Sequence, residues 1–203
     1  MIQLPRLYAV ADATFGHPVE VAKALFAGGA RLVQLRHKSA SDRALLEEVE
    51  SILQLAPVGT HLFVNDRSDI ARMSVAAGVH LGQTDLPPAL ARRVLAPGQL
   101  IGRSTHSLTE ALEADGEPVD YIAVGPVFAT STKTDAAPVL GLERLREICS
   151  RVRKPVVAIG GITLESALDV LRCGAASVAV IADLLRKGDI ENRTRVWIRH
   201  LES

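Results

Sequence analysis

Short apolar segments alternate with longer segments of helical periodicity over the whole chain. The apolar segments, which we predict to be strands, are residues 6–10, 32–35, 61–64, 78–81, 100–103, 121–124, 156–159 and 177–181. The predicted helices are residues 18–27, 42–55, 69–76, 87–95, 108–114, 142–151, 164–172 and 190–201, with candidate N-caps at Ser41, Ser107 and Thr163. Buried parallel strands are rich in Val, Ile and Leu because helices cover both faces of their sheet. The pattern therefore predicts an α/β fold, a (β/α)8 TIM barrel.

An open, doubly wound parallel sheet is the alternative fold for the same alternation of strands and helices. The first strand–helix junction, residues 11–16, lacks the GxGxxG sequence that binds phosphate in many such sheets, which modestly favours the barrel. No linker-like stretch divides the chain, so we expect residues 1–203 to form one domain. The longest connection, residues 125–140, is rich in Thr, Ser, Pro and Lys and suits a functional loop.

Charge and cysteine content argue against several classes of function. The 23 Lys and Arg residues balance 23 Asp and Glu residues, and only 3% of residues are aromatic, so we expect no nucleic-acid partner. No apolar run approaches the roughly 18 residues of a membrane span, and the first residues do not resemble a signal peptide, so we expect no membrane association. Cys149 and Cys173 lack a CxxC or His/Cys cluster, which fits a reducing cytoplasm. The sequence leaves open whether the chain forms a homo-oligomer.

Polar side chains follow the second predicted strand, at the end of a barrel where active sites form. The two-residue period of a strand places Gln34, Arg36 and Lys38 on one side and Leu35 and His37 on the other. Two cations and an amide are costly to bury without an anionic partner, so this segment predicts a site for a phosphorylated ligand. The alternative is a cluster of salt bridges at the rim of the barrel.

Two carboxylates follow the neighbouring third and fourth strands. Asp66 comes after Asn65 at the end of one strand, and Asp85 lies in the segment 82–85 after the next. Mg²⁺ commonly takes only one or two protein carboxylates, since water and phosphate oxygens complete its coordination. Asp66 and Asp85 are therefore candidate Mg²⁺ ligands. The alternative is that each caps a helix or closes a turn.

Hydroxyl groups, glycines and a further cation follow strands five to eight. Ser104 can donate a hydrogen bond at the end of strand five, and His106 is a candidate base, although a lone histidine is more often structural. The loop after strand six carries Thr130, Thr132 and Lys133, which suits phosphate binding but is also typical of a solvated loop. The loops after strands seven and eight form the recurrent phosphate site of such barrels. The residues there are Gly160, Gly161, Ile181 and Ala182, and the alternative for the glycines is a tight turn.

In their order along the chain, these motifs resemble those of the thiamine phosphate synthase family, from Leu7 to about Leu185. The matching segments are Gln34-x-Arg36-x-Lys38, Asn65-Asp66, Gly82-Gln83-x-Asp85, Ser104 with His106, Gly125-Pro126-Val127-Phe128, Thr130-x-Thr132-Lys133 and Ile159-Gly160-Gly161-Ile162. The resemblance implies a (β/α)8 barrel that joins hydroxymethylpyrimidine diphosphate to a thiazole phosphate. The products would be thiamine phosphate and diphosphate.

The resemblance also implies a role for each matching residue. The pyrimidine diphosphate would be held by Gln34, Arg36, Lys38, Asn65, Ser104 and Lys133, of which we expect Arg36, Lys38, Ser104 and Lys133 to be catalytic. The thiazole phosphate would be held by Thr130, Thr132, Gly160, Gly161 and the backbone of Ile181 and Ala182, and Mg²⁺ by Asp66 and Asp85. Members of the family commonly carry serine where this chain has Ala182, so one hydroxyl contact to the phosphate is missing here.

Two other functions fit parts of the same sequence. Thiazole tautomerases share the fold and a similar segment at residues 101–107, in which His106 would transfer a proton. A non-catalytic binder of phosphorylated thiamine precursors would need the same barrel without activation of a leaving group. The cations and both carboxylates favour the synthase. We hypothesise that diphosphate leaves first and that the thiazole nitrogen captures the resulting pyrimidine cation, in a site that stabilises charge and aligns two substrates.

Overall fold

The computed structural model describes residues 3–130, 137–186 and 188–203, and these form a closed barrel of eight parallel strands surrounded by helices. The strands are β1 (Leu7–Asp12), β2 (Leu32–Arg36), β3 (His61–Asn65), β4 (Gly78–Leu81), β5 (Leu100–Thr105), β6 (Tyr121–Val124), β7 (Val156–Ile159) and β8 (Ser177–Val180). Each strand pairs with the next, and β8 pairs with β1, where Leu7 lies opposite Val178. This closure confirms the predicted (β/α)8 barrel and excludes the open doubly wound sheet.

Helices follow the strands and cover the outside of the barrel. They are α1 (Pro18–Ala27), α2 (Asp42–Leu55), α3 (Ser68–Ser74), α4 (Pro88–Val94), α5 (Leu108–Gly116), α6 (Gly141–Arg151), α7 (Ala167–Arg172), α8 (Ala182–Leu185) and α9 (Ile190–Glu202). The predicted N-caps of α2 and α5 are confirmed, because Ser41 Oγ accepts a hydrogen bond from Ala44 N and Ser107 Oγ accepts one from Glu110 N. No helix in these three stretches has both the length and the apolar character needed to cross a membrane.

The predicted start of α7 is wrong. This helix begins at Ala167 instead of residue 164, because residues 163–166 form a turn. In that turn Ser166 Oγ accepts a hydrogen bond from Thr163 N at 3.1 Å, and Ser166 N donates to Thr163 O at 3.2 Å. Thr163 is therefore a turn residue and not the N-cap of the helix.

Several other limits differ from the prediction by one or two residues, and two of these differences have a visible cause. The helix predicted over residues 69–76 ends at Ser74, because Val75 adopts a left-handed conformation with φ of 59°. The strand predicted over residues 177–181 is one residue shorter, since the chain turns at once into the short helix α8, which sequence analysis missed.

Four strands extend farther than predicted toward the mouth, the end of the barrel where all strands have their carboxyl ends. β1, β2, β3 and β5 end at the polar residues Asp12, Arg36, Asn65 and Thr105. Asp12 lies directly opposite Arg36 in the ladder between β1 and β2. The apolar pattern underestimates these strands because their last residues are polar but still pair with a neighbouring strand.

The barrel interior is filled by alternate residues of the strands. Together with Leu4, which precedes β1, these residues form an inner cluster that contains Tyr8, Leu32, Phe63, Tyr121, Ala123, Val157 and Ala179. Three of its rings pack together, with ring centroids 5.9 Å apart for Tyr8 and Phe63 and 5.4 Å apart for Phe63 and Tyr121. Gly102 leaves room for one of them, because a Cβ at this position would lie 2.0 Å from Cζ of Tyr121. The inner cluster closes the barrel below the mouth.

Candidate active site

The polar residues at the end of β2 and just after it lie at the mouth, where each has a partner on a neighbouring strand or loop. Gln34 is buried, and its Nε2 donates to the hydroxyl oxygen of Tyr8 at 3.2 Å. Arg36 Nη1 lies 2.6 Å from Asp12 Oδ2. Lys38 Nζ lies 3.4 Å from Asp66 Oδ2. The two cations are thus held in salt bridges, as the alternative interpretation of this segment anticipated, and both remain at the mouth.

Asp12 is a site residue that sequence analysis missed. Its side chain is only 1% exposed, and its Oδ1 accepts hydrogen bonds from Thr14 N at 2.9 Å and Thr14 Oγ1 at 2.7 Å. These bonds leave Oδ2 directed at Arg36. A cavity of about 430 Å³ opens beside this pair. The signal in the sequence was the acidic residue at the end of the first strand, where a barrel needs none for packing.

The two candidate metal ligands, Asp66 and Asp85, lie next to each other. Burial raises the pKa of Asp66 above its ordinary value, the hydrogen bond and negative charge of Asp85 raise it further, and Lys38 opposes both effects. Asp66 has φ of 64°, and its backbone N donates to His80 O at 2.8 Å. Asp85 Oδ2 accepts from Gly82 N at 2.6 Å. Two adjacent carboxylates that repel each other form a donor set suited to a hard cation.

The alternative for these aspartates, helix capping, does not describe them. The N-cap of α3 is Arg67 and that of α4 is Pro87, and neither makes a side-chain capping hydrogen bond. Asp85 does close the turn that begins at Gly82. No group of three or more His, Cys, Asp or Glu side chains suited to a metal ion occurs in residues 3–130, 137–186 and 188–203.

Asn65 and Ser104 also reach the mouth. Asn65 ends β3 opposite His80 of β4 and is partly buried. Ser104 Oγ lies 2.8 Å from Nε2 of His80, whose Nδ1 lies 2.8 Å from the hydroxyl oxygen of Tyr121. That hydroxyl in turn lies 2.9 Å from the hydroxyl of Tyr8, so Ser104 and Gln34 are the two ends of one hydrogen-bonded chain.

His80 is the second site residue that sequence analysis missed. It lies on β4 and is 8% exposed. The sequence signal was a histidine inside an otherwise apolar strand. His80 comes two residues after Gly78, so both residues lie on the same side of β4. His106, the histidine that sequence analysis considered, pairs instead with Glu110 of α5. Glu110 Oε2 accepts a hydrogen bond from His106 N at 2.8 Å and lies 3.2 Å from its Nδ1.

The glycines after β7 allow close packing against the loop that follows β6. Gly160 and Gly161 have φ of 100° and 64°, a region that other residues rarely adopt. A Cβ on Gly160 would lie 2.5 Å from Pro126 Cα, and one on Gly161 would lie 2.4 Å from Ala129 O. The tight-turn interpretation of these glycines is therefore correct, and it is compatible with a ligand at the same turn.

Three of the remaining predicted phosphate contacts, Thr130, Ile181 and Ala182, are among the described residues. Ile181 is the N-cap of α8, and Ala182 is its first residue, so backbone N–H groups of this helix start at the mouth. Thr130 is partly buried, and it is the last described residue before residue 137. Thr132 and Lys133 lie outside the described residues, so their predicted roles stay predictions.

Known proteins resemble this chain over nearly its full length. The family model described as "Thiamine monophosphate synthase" matches residues 7–184. A thiamine-phosphate synthase of Koribacter versatilis is 45% identical over 191 residues, covering 91% of this chain and 90% of the relative. One from Chloroflexus aurantiacus is also 45% identical, covering 94% of this chain and 89% of the relative. The solved structure of a thiamine phosphate pyrophosphorylase from Pyrococcus furiosus superimposes with a TM-score of 0.90 at 38% identity, covering 98% of this chain and 96% of that one.

Proposed function

Because the chain belongs to the thiamine monophosphate synthase family, we propose that its barrel mouth joins hydroxymethylpyrimidine diphosphate to a thiazole phosphate. The reaction forms thiamine phosphate and releases diphosphate, and the chain is thus a transferase of thiamine biosynthesis. The family membership and the charged residues at the mouth support this activity together. One observation carries the proposal: two cations and two adjacent carboxylates share one opening. Lys38 pairs with Asp66, which lies next to Asp85. Arg36, which pairs with Asp12, is the second cation.

Arg36 and Lys38 are the residues that we assign to the diphosphate. Their side chains are 16% and 59% exposed, so a ligand at the mouth can reach both. Diphosphate carries several negative charges, and charge-assisted hydrogen bonds to an arginine and a lysine stabilise it most when it leaves with a further electron pair. With Gln34, Asn65, Ser104 and the undescribed Lys133, these residues make up the proposed pyrimidine diphosphate site.

Asp66 and Asp85 fit a resident Mg²⁺. Their adjacent carboxylates and the raised pKa of Asp66 mean that the metal-free pair is electrostatically unfavourable, which a divalent cation would relieve. When bound, Mg²⁺ supplies positive charge to the leaving diphosphate. Lys38 pairs with Asp66 and lies two residues after Arg36, so it connects this carboxylate pair to the end of β2.

The proposed reaction needs no nucleophile from the protein. The bond between the pyrimidine methylene carbon and the diphosphate oxygen breaks, and its electron pair leaves with the diphosphate. The lone pair of the thiazole nitrogen then forms the new C–N bond to the methylene carbon. The residues of the chain align the two substrates and stabilise the separated charges. Thr130, Thr132, Gly160, Gly161, Ile181 and Ala182 make up the proposed thiazole phosphate site.

The thiazole tautomerase alternative has less support. Its proton carrier would be His106, whose ring is paired with Glu110 of α5. The non-catalytic binder would not need the paired carboxylates Asp66 and Asp85 that favour a metal ion.

Incubation of the chain with both substrates and Mg²⁺ tests the proposal directly. We expect thiamine phosphate and diphosphate in equal amounts, and no product when a chelator removes the metal. Replacing Lys38 by methionine should lower kcat/KM by about 100-fold, the usual order for losing a preorganised charge at a developing anion. The matched control is Lys23→Met, which removes the same charge from an exposed position on α1. A chain that forms no thiamine phosphate, or a Lys38→Met variant as active as the control, would contradict the proposal.

A further inference from the structure

A continuous chain of hydrogen bonds crosses the interior of the barrel between the two sides of its mouth. It connects Gln34 on β2, Tyr8 on β1, Tyr121 on β6, His80 on β4 and Ser104 on β5. Its four donor–acceptor distances are 3.2, 2.9, 2.8 and 2.8 Å in that order. All four are normal for protein hydrogen bonds. The chain therefore links five strands through side chains alone.

The members of this chain have very little access to water. Tyr121 is 0% exposed, Tyr8 1%, Gln34 7% and His80 8%. Burial raises the pKa of both tyrosines above the ordinary value, so both hydroxyls keep their hydrogens near neutral pH. Each tyrosine consequently has one hydrogen to donate, and each hydrogen needs an acceptor because an unpaired buried hydroxyl is costly.

This requirement fixes the direction of the chain. Nε2 of Gln34 can only donate, so Tyr8 accepts from it. Tyr8 must then pass its own hydrogen to Tyr121, since the structure records no other acceptor for it among the described residues. Tyr121 in turn donates to Nδ1 of His80. A neutral histidine that accepts at Nδ1 carries its hydrogen on Nε2 and donates it onward.

We propose that His80 is a positioning residue, held as the Nε2–H tautomer so that it donates to Ser104 Oγ and turns the serine hydrogen toward the barrel mouth. Once Ser104 Oγ accepts a hydrogen bond from His80, the hydroxyl hydrogen of Ser104 cannot point toward His80. Ser104 is then a donor oriented in advance of ligand binding, which is how hydrogen bonds stabilise charge that develops during a reaction. The proposal rests on the proposed function, in which Ser104 contacts the pyrimidine diphosphate.

The surrounding packing holds the chain in this geometry. The His80 and Tyr121 rings stack, with centroids 5.7 Å apart and planes at 23°. Phe63 packs its ring edge-on against Tyr121 and tilted against Tyr8. Because these rings are locked by packing and Gly102 leaves room for Tyr121, the hydroxyls and the imidazole have little freedom to turn away.

The direction of the chain is tested by the tautomer of His80 in the unliganded protein. Long-range ¹H–¹⁵N correlation spectra at mildly alkaline pH distinguish a protonated ring nitrogen from an unprotonated one, and loss of one signal set in His80→Asn identifies the residue among the six histidines. We expect a protonated Nε2 and an unprotonated Nδ1. A protonated Nδ1 would mean that the chain runs the other way and would overturn the proposal. Phe63→Leu, which alters packing but removes no hydrogen-bonding group, should leave the tautomer unchanged.

A double-mutant cycle tests whether the chain acts through Ser104. Tyr121→Phe keeps the ring and removes the donor to His80, and we expect it to lower kcat/KM about tenfold in the wild-type background, the effect of about one hydrogen bond. In the Ser104→Ala background the same change should cost less than about twofold, because the group being oriented is gone. An equal loss in both backgrounds would show a merely structural role and would overturn the proposal.

Failure of the underlying function looks different from failure of this inference. If Ser104→Ala has wild-type kinetics, the proposed role of Ser104 is wrong, and the use of the chain for orienting it is wrong with it. If Ser104→Ala is impaired while the cycle is additive, the proposed function stands and only the inference about His80 falls. Unfolding midpoints in urea for Tyr121→Phe and Ser104→Ala separate either result from a loss of folded protein.

Discussion

Replacing Asp12 by asparagine removes the negative charge that holds Arg36 at the barrel mouth. Asparagine has one side-chain oxygen, and with that oxygen on the two hydrogen bonds from Thr14 it presents its amide N–H, a second donor, to the guanidinium. The change therefore isolates the ion pair from the rest of the turn. It differs from truncation to alanine, which would also leave the backbone N–H of Thr14 without its side-chain acceptor.

The magnitude follows from the burial of the pair. Removing one member of a buried ion pair costs about 3–5 kcal/mol, because the other charge is left without compensation. Asp12 is 1% exposed, but Arg36 is 16% exposed and can recover part of its hydration. We therefore expect a loss of about 2 kcal/mol, which is below that range. For a chain of this size that corresponds to a decrease in melting temperature of about 4–8 °C.

Urea denaturation followed by circular dichroism measures the free energy of unfolding, and Thr14→Val is the matched control. This control removes one hydrogen bond to the same carboxylate and should cost about 1 kcal/mol or less. The Asp12→Asn variant should also show a raised KM for the pyrimidine diphosphate, since Arg36 loses its fixed position. A stability change below about 0.5 kcal/mol would show that water already compensates Arg36 and would refute this reasoning.

Three other substitutions probe the interior, the carboxylate pair and the proposed phosphate site. Gly102→Ala places a methyl group 2.0 Å from the ring of Tyr121, so we expect a loss of about 3 kcal/mol in urea denaturation, and an unchanged midpoint would contradict the packing described. Because the pKa of Asp66 is raised, its protonated carboxyl group stabilises the folded chain. This contribution is fully present below the ordinary pKa of the group and is lost as the pH rises through the raised value. Asp85→Asn should consequently raise the melting temperature of the metal-free chain at neutral pH and remove the further rise on adding Mg²⁺, as measured by thermal denaturation; a lower melting temperature would count against the repulsion. Ala182→Ser adds a hydroxyl at the start of α8, and we expect it to lower the KM for the thiazole phosphate about fivefold without changing the melting temperature, whereas an unchanged KM would place the phosphate elsewhere.

The barrel could be predicted from the sequence because its signal is repeated eight times. Apolar strands and amphipathic helices differ in period, and each repeat supports the others, so an error of one or two residues at an element's end does not alter the fold. The errors occurred at the ends of elements, where a few local contacts decide the structure. The hydroxyl of Ser166 holds a turn ahead of α7, and the chain enters α8 directly after β8.

The candidate site was predictable as far as it consists of polar residues at strand ends. Arg36, Lys38, Asp66 and Asp85 stand out because such positions need no charge for packing. Asp12 and His80 were missed because their importance lies in their partners, which belong to other strands. Pairings across strands depend on register, and register is set by the three-dimensional closure of the sheet.

The pairing of β8 with β1 has a consequence for how the protein is made. The ribosome synthesises β1 first and β8 last. The edge of β1 that pairs with β8 therefore has no strand beside it until residues 177–180 have been synthesised. An unpaired strand edge invites association with other nascent chains. The mouth is incomplete during the same interval, because Ile181 and Ala182 arrive only with the last strand. Translation speed over the final segments thus bears on the yield of closed barrels.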